Sequence, residues 1–85
     1  MTYRIEFRPA AIRELAKLEI STRRRIATTL ESLAENPRPP GVEKLKGHDY
    51  RYRVRYGDYR IIYEIADRVL IILVLRIGHR RQVYR

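Results

Sequence analysis

The residues best able to do chemistry in this chain are three arginines at alternate positions, Arg51, Arg53 and Arg55. Because side chains alternate between the two faces of a β-strand, a strand through these positions places all three guanidinium groups on one face. Guanidinium forks match phosphate oxygens in a bidentate manner, and their planes stack on unpaired bases. The pattern predicts a face that binds RNA or another polyanion. The alternative is a solvated sheet face with spaced arginines.

The charge of the whole chain agrees with a polyanionic partner. Its 85 residues include 19 Lys and Arg against 10 Asp and Glu, which gives a net charge of +9. Such an excess favours nucleic acid, an anionic membrane or an acidic protein as partner. No apolar run approaches the roughly 20 residues of a membrane-spanning helix, so no membrane partner is expected. The lack of cysteine and of a signal peptide fits a cytoplasmic protein.

The two histidines, His48 and His79, are the side chains that ordinarily titrate near neutral pH. His48 falls in a predicted loop and is interpreted as a surface residue, whereas His79 follows the last predicted strand. Two isolated histidines without cysteine do not make a metal site, and no glycine-rich phosphate loop is present. We therefore expect neither a metal nor a cofactor.

The first half of the chain predicts one strand and two helices. Residues 3–7 alternate between apolar and polar, which is typical of a strand with one buried face. Pro9 suits the first position of a helix. A short break with Ser21 or Thr22 as its cap precedes a second helix, which ends at Asn36.

The second half predicts three antiparallel strands. Residues 50–56 follow period two, a tight turn at Gly57 reverses the chain, and residues 59–65 form the return strand. Residues 69–77 are predicted to form a third strand. Because positions 69–75 are apolar without interruption, this strand is expected to be buried on both faces and central, ending at Gly78. The whole chain, 1–85, is therefore read as a single α+β domain. A helical hairpin packs on one face of a four-stranded, mostly antiparallel sheet and leaves the other face for function.

Several short motifs together resemble the RelE/ParE toxin superfamily of type II toxin–antitoxin systems. They are Asn36-Pro37, Lys44-Leu45-Lys46-Gly47, Tyr50 to Arg55, Gly57 to Tyr63, and Gly78 to Tyr84. The resemblance implies a RelE-like fold over nearly the whole chain. RelE-like members are ribosome-dependent endoribonucleases that cut mRNA in the A site without a metal. The messenger's 2′-hydroxyl attacks the adjacent phosphorus and leaves a 2′,3′-cyclic phosphate and a 5′-hydroxyl.

The resemblance also implies roles for single residues. Arg60 matches an arginine that faces the scissile phosphate, Arg80 matches a second arginine, and Tyr84 matches a tyrosine that stacks on or protonates the substrate. Arg51 and Arg53 match positions that are lysine in some relatives. Because arginine keeps its proton, it is a poor base. The candidate general bases are Glu43 and His79, and the remaining candidates for RNA contacts are Arg55, Arg81, Lys44 and Lys46.

The resemblance further implies a cognate RelB-like antitoxin, beside the ribosome and its mRNA, as partners. A homodimer, or a heterotetramer with the antitoxin, is compatible with so small a domain. ParE-like members share the fold but poison DNA gyrase. Arg60, Arg80 and Tyr84 favour the RelE-like activity, although Arg60 lies in a stretch that both branches share. A catalytically inactive module that binds nucleic acid or antitoxin is the third alternative. The sequence leaves open the codon preference and the identity of the base and acid.

Overall fold

The computed structural model describes residues 2–79 of the chain. Within them the elements follow the predicted order, with one short strand added. They are Arg4–Phe7 (β1), Pro9–Ala16 (α1), Ile20–Glu35 (α2), Glu43–Lys44 (β2), Arg51–Tyr56 (β3), Tyr59–Ala66 (β4) and Ile71–His79 (β5). The predicted α+β class and the run of three antiparallel strands at the end of the chain are confirmed.

The described strands form one sheet in the order β1-β5-β4-β3-β2. β1 runs parallel to β5, and every other neighbouring pair is antiparallel. The sheet therefore has one strand more than the four predicted. The added strand, β2, pairs Glu43 with Arg53 and Lys44 with Tyr52 at the edge. Two residues are too few to produce a period-two pattern, so the sequence carried no signal for it.

The strand β5 lies between β1 and β4, as its continuous apolar sequence predicted. It runs through Gly78 to His79, so the predicted end at Gly78 was wrong: this glycine is paired with Arg60 inside the sheet. A register shift between β4 and β5 makes Leu75 an extra residue on β5. Because of this bulge, Val74 and Ile77, three positions apart, are both fully buried.

Both helices begin without a side-chain hydrogen bond from the residue at the cap position. α1 starts at Pro9, as predicted, because the fixed φ of proline suits the first turn. α2 starts at Ile20, so the predicted cap at Ser21 or Thr22 was wrong. Glu19 occupies the cap position without a side-chain hydrogen bond to the helix. A cap contributes only about 1 kcal/mol, which the apolar stripe of α2 outweighs.

Both helices contribute to one core on a single face of the sheet. Ala11 of α1 joins a cluster whose other buried members are Ile26, Leu30, Leu33, Ile61, Tyr63, Ile65, Ile72, Val74 and Ile77. Tyr63, predicted as a core residue, is fully buried. Its hydroxyl donates a hydrogen bond of 2.8 Å to the carbonyl of Pro37, and burial raises its pKa. The opposite face of the sheet is the one that carries Arg51 and Arg53.

A polar cluster fastens the loop between α2 and β2 to the sheet. Arg38 Nη1 and Nη2 donate hydrogen bonds to the two carboxylate oxygens of Asp67, at 3.2 and 2.8 Å. Its Nε donates to the Tyr52 hydroxyl at 3.2 Å. The Tyr3 hydroxyl donates to Asp67 at 2.6 Å. The hydrogen bonds from Arg38 and Tyr3 lower the pKa of Asp67 to about 2. The loop that leads into Glu43 is thereby held in one place.

Neither helix within residues 2–79 has the length and apolar character needed to cross a membrane.

The core assignment is tested by the same substitution at two positions of α2. Ile26 is fully buried, whereas Ile20 is 59% exposed. Ile26→Ala is expected to lower the free energy of unfolding by about 2–5 kcal/mol, because it removes buried surface and leaves a cavity. Ile20→Ala is expected to change it by no more than about 0.5 kcal/mol. Urea denaturation measures both, and equal losses would contradict the assigned core.

Candidate nucleic-acid interface

An open groove of about 520 Å³ lies on the face of the sheet that bears Arg51 and Arg53. Arginines from three segments of the chain meet there. Arg51 and Arg53 lie on β3, Arg76 lies on β5, and Arg8 directly precedes α1. The described residues that line the groove are Arg8, Pro9, Ala10, Leu45, His48, Arg51, Arg53, Ile62, Leu75 and Arg76. The predicted cationic face is therefore a concave site with an apolar part.

The sheet register fixes the centre of this groove. Ile62 of β4 is paired with Arg53 on one side and with Arg76 on the other. Residues directly opposite each other on antiparallel strands share a face, with Cβ atoms about 5 Å apart. Two guanidinium groups thus flank one apolar side chain. Cations around an apolar surface suit single-stranded nucleic acid, whose phosphates are charged and whose bases expose apolar faces.

Carboxylates from three elements hold the groove arginines. Glu64 accepts a hydrogen bond from Arg51 Nε at 2.7 Å, and Glu43 accepts one from Arg53 Nη2 at 2.6 Å. The repulsion between the neighbouring guanidinium groups is therefore partly relieved within the chain.

Glu14 of α1 holds the third groove arginine. Its carboxylate accepts hydrogen bonds from Arg76 Nε, at 3.1 and 3.0 Å, and from Arg76 Nη2, at 2.7 Å. It also accepts the backbone N–H of Ile77 at 2.9 Å. Partial burial alone would raise the pKa of Glu14, but the hydrogen bonds from Arg76 and Ile77 outweigh it and the pKa is lowered. α1 is thereby tied to the bulged part of β5.

Arg60 lies on the same face, two positions along β4 from Ile62. It is paired with Arg55 across the turn at Gly57, and with Gly78. The residue is only 4% exposed. Its Nη1 donates to the Tyr59 carbonyl at 3.3 Å, whereas its buried Nε has no hydrogen-bond partner within residues 2–79. A buried unpaired donor is costly, and any hydrogen-bond acceptor would satisfy it.

The candidate residues Arg80, Arg81 and Tyr84 lie outside the described residues. Of the two candidate bases, Glu43 is joined to the groove through Arg53. The His79 ring instead lies edge-on to Tyr59, with centroids 6.0 Å apart, on the side where Tyr59 packs against the core. Within residues 2–79, no three side chains that could ligate a metal lie together.

The remaining basic candidates are less central. Lys44 is paired with Tyr52, which packs against the core, so it lies on the opposite face of the sheet from Arg53. Lys46 is exposed in the turn after β2, and Arg55 is exposed on β3. Neither of them lines the described groove.

The sequence did not identify Arg8 and Arg76 as groove residues. It predicted His48 to be a surface residue, which it is, but gave no indication that His48 lines the groove. Arg76 carried one usable signal, because it is the sole charged residue between Val69 and Ile77. His48 and Arg8 carried none, since only the tertiary fold brings their segments beside β3.

Comparison with known proteins gives a consistent set of similarities. Residues 5–84 match a family model described as the ParE toxin of the type II toxin–antitoxin system parDE. A putative RelE-like toxin protein of Escherichia coli is 32% identical, covering 96% of this chain and 87% of that protein. The mRNA interferase toxin RelE of Escherichia coli is 29% identical with the same coverage. The archaeal RelE–RelB complex of Pyrococcus horikoshii contains a chain that superimposes with a TM-score of 0.83 at 31% identity. The match covers 96% of this chain and 99% of that one.

The Glu14–Arg76 pair makes a pH-dependent contribution to stability. Because the pKa of Glu14 is lowered in the folded protein, this contribution is fully present above the ordinary carboxyl pKa of 4.5 and is lost as pH falls through the lowered value. Glu14→Gln is therefore expected to destabilise the protein at pH 7 by on the order of 1 kcal/mol. The gap to the wild type should shrink as the wild-type carboxyl becomes protonated at acid pH. Urea titrations of both proteins across acid pH measure this gap, and a constant gap would contradict the assignment.

Proposed function

Because the chain belongs to the ParE toxin family of type II toxin–antitoxin systems, we propose that it is a RelE-like toxin that cuts mRNA in the ribosomal A site. The observation that carries the proposal is the groove itself, in which Ile62 lies between Arg53 and Arg76, and Arg8 and Arg51 also line the groove. This arrangement suits a single strand of RNA. The Escherichia coli relative named as an mRNA interferase supports the same substrate class.

In the proposed reaction, the 2′-oxygen bonds to the adjacent phosphorus while the bond from phosphorus to the 5′-oxygen breaks. Arg60, together with Arg51 and Arg53, stabilises the charge that develops on the phosphorane. Glu43 takes the proton of the 2′-hydroxyl, since its carboxylate lies beside Arg53 and the arginines cannot act as bases. From the resemblance, Arg80 and Tyr84 complete the site. The ribosome supplies much of the positioning of the messenger.

A ParE-like activity is the second candidate, because the matched family model is described by the ParE name. Such a toxin would poison DNA gyrase, and cells would show DNA damage with uncut messages. A third candidate, a binding module without activity, would be harmless on expression and would bind nucleic acid with a steep dependence on salt.

We also propose that a cognate RelB-like antitoxin neutralises the protein in the cytoplasm. The structural neighbour from Pyrococcus horikoshii is a RelE–RelB complex. A net charge of +9 favours an acidic partner that covers the arginine face. The complex is a heterodimer or a heterotetramer, and the free toxin is a monomer or a homodimer.

The nuclease proposal is tested by primer extension on a defined message in purified translation reactions. The wild type should cut within the A-site codon, and the cuts should vanish without ribosomes. Arg60→Ala is expected to slow cutting by about 10²–10³-fold, because it removes a cation from the developing charge. Arg24→Ala, on the exposed side of α2, removes an equal charge away from the groove and should leave the rate unchanged.

Because Arg60 is buried, circular dichroism must show that the Arg60→Ala protein is folded. An Arg60→Ala variant that is folded and cuts as fast as the wild type would contradict the assigned role. A folded wild type that cuts nothing would contradict the nuclease, and a supercoiling assay would then test the gyrase alternative.

The antitoxin proposal makes a separate prediction. Association of the two proteins should slow by about tenfold or more as ionic strength rises, because charge steering accounts for on-rate gains of 10–10³. The double change Arg51→Gln and Arg53→Gln should flatten this dependence, as stopped-flow measurements would show. The intact complex should cut no message; full cutting by the complex would contradict a partner that covers the groove.

A further inference from the structure

Among the described residues that line the groove, His48 is neither an arginine nor an apolar residue. The four lining arginines keep their protons at all relevant pH values, and the remaining lining residues are apolar. His48 is the lining residue with an imidazole, the side chain that most often serves as a general acid or base. It is exposed, as a group that must reach a substrate should be.

The turn between β2 and β3 brings His48 to this place. Gly47 adopts a φ of +81°, in the left-handed region that glycine adopts at low cost. The N–H of Leu45 donates to the carbonyl of Arg51 at 2.9 Å and closes the turn from the other side. The position of His48 at the groove is thus set by the β2–β3 ladder and the glycine turn.

The proposed cleavage still needs a proton donor for its leaving group. As the bond to phosphorus breaks, the 5′-oxygen takes the electron pair and must gain a proton to leave as a hydroxyl. Glu43 accepts a hydrogen bond from Arg53 at 2.6 Å and fits the opposite task of proton acceptor. Among the described residues that line the groove, His48 carries the side chain best suited to this task. Tyr84, the donor that the resemblance offers, lies outside the described residues.

We propose that His48 is the general acid of this reaction, an inference that rests on the proposed function. The imidazolium gives its proton to the 5′-oxygen while Glu43 receives the proton of the 2′-hydroxyl. The products are a 2′,3′-cyclic phosphate and a 5′-hydroxyl, and both side chains then return to their starting states by exchange with water. No proton or electron is gained or lost overall.

Charged side chains line the groove together with His48. They are Arg8, directly before α1, Arg51 and Arg53 of β3, and Arg76 of β5. The carboxylates paired with Arg51, Arg53 and Arg76 are Glu64, Glu43 and Glu14. Substitution of His48 removes the imidazole and leaves these ion pairs in place.

The test uses a message whose A-site codon carries a sulfur in place of the bridging 5′-oxygen. A thiolate leaves without a proton, so a general acid is not needed for this linkage. His48→Gln is expected to cut the ordinary linkage about 10²-fold or more slowly than the wild type, and the sulfur linkage at nearly the wild-type rate. The wild type is expected to lose rate at alkaline pH, and this loss should be absent in the variant. Glu31→Gln, on the exposed side of α2, is the control and should behave as the wild type on both linkages.

Three results with an active wild type would overturn the inference. In the first, His48→Gln cuts the ordinary linkage at the wild-type rate. In the second, it is equally slow on both linkages, which indicates a role in binding or folding. In the third, the sulfur linkage restores the cutting rate of a Tyr84→Phe variant and not that of His48→Gln, which makes Tyr84 the acid. A folded wild type that cuts neither linkage would refute the proposed function itself, and is thereby distinguishable from these three.

Discussion

Four guanidinium groups share one small groove, and the repulsion among them is the constraint on which the rest of the structure depends. Glu64 of β4, Glu43 of β2 and Glu14 of α1 each pair with a different groove arginine. The short edge strand and the first helix are therefore placed by charge balance as well as by the core. Three of the four groove arginines are therefore held in place by ion pairs within the chain.

The parts of the site that the sequence predicted depend on local geometry. The alternation of β3 assigns Arg51 and Arg53 to one face and Tyr52 to the core side, because the side-chain period of a strand is two. A tight turn at Gly57 dictates that Arg55 lies opposite Arg60. These relations need only a few neighbouring residues, so a single sequence suffices to find them.

The parts that it did not predict depend on contacts between distant segments. Arg8 reaches the groove because β1 pairs in parallel with β5, through a crossover that no local pattern reveals. Arg76 faces the groove because the extra residue Leu75 shifts the register of β5. His48 lines the groove because a strand of two residues, with a glycine turn after it, returns the chain toward β3. The His79 side chain lies on the core side of the sheet, away from the groove, because β5 continues past Gly78 and pairs His79 with Tyr59.

The family to which the chain belongs covers a fold on which more than one activity has been built, so the argument for the activity must come from the groove. Arg60 is nearly inaccessible, and its Nε has no partner within residues 2–79. An unsatisfied buried donor costs about 1–3 kcal/mol, which is a large fraction of the stability of so small a domain. Because Arg60 also lies in a stretch that both branches of the superfamily share, it does not separate the two activities. The groove arginines Arg51, Arg53 and Arg76, which surround the apolar side chain of Ile62, are the residues that favour a nucleic-acid substrate.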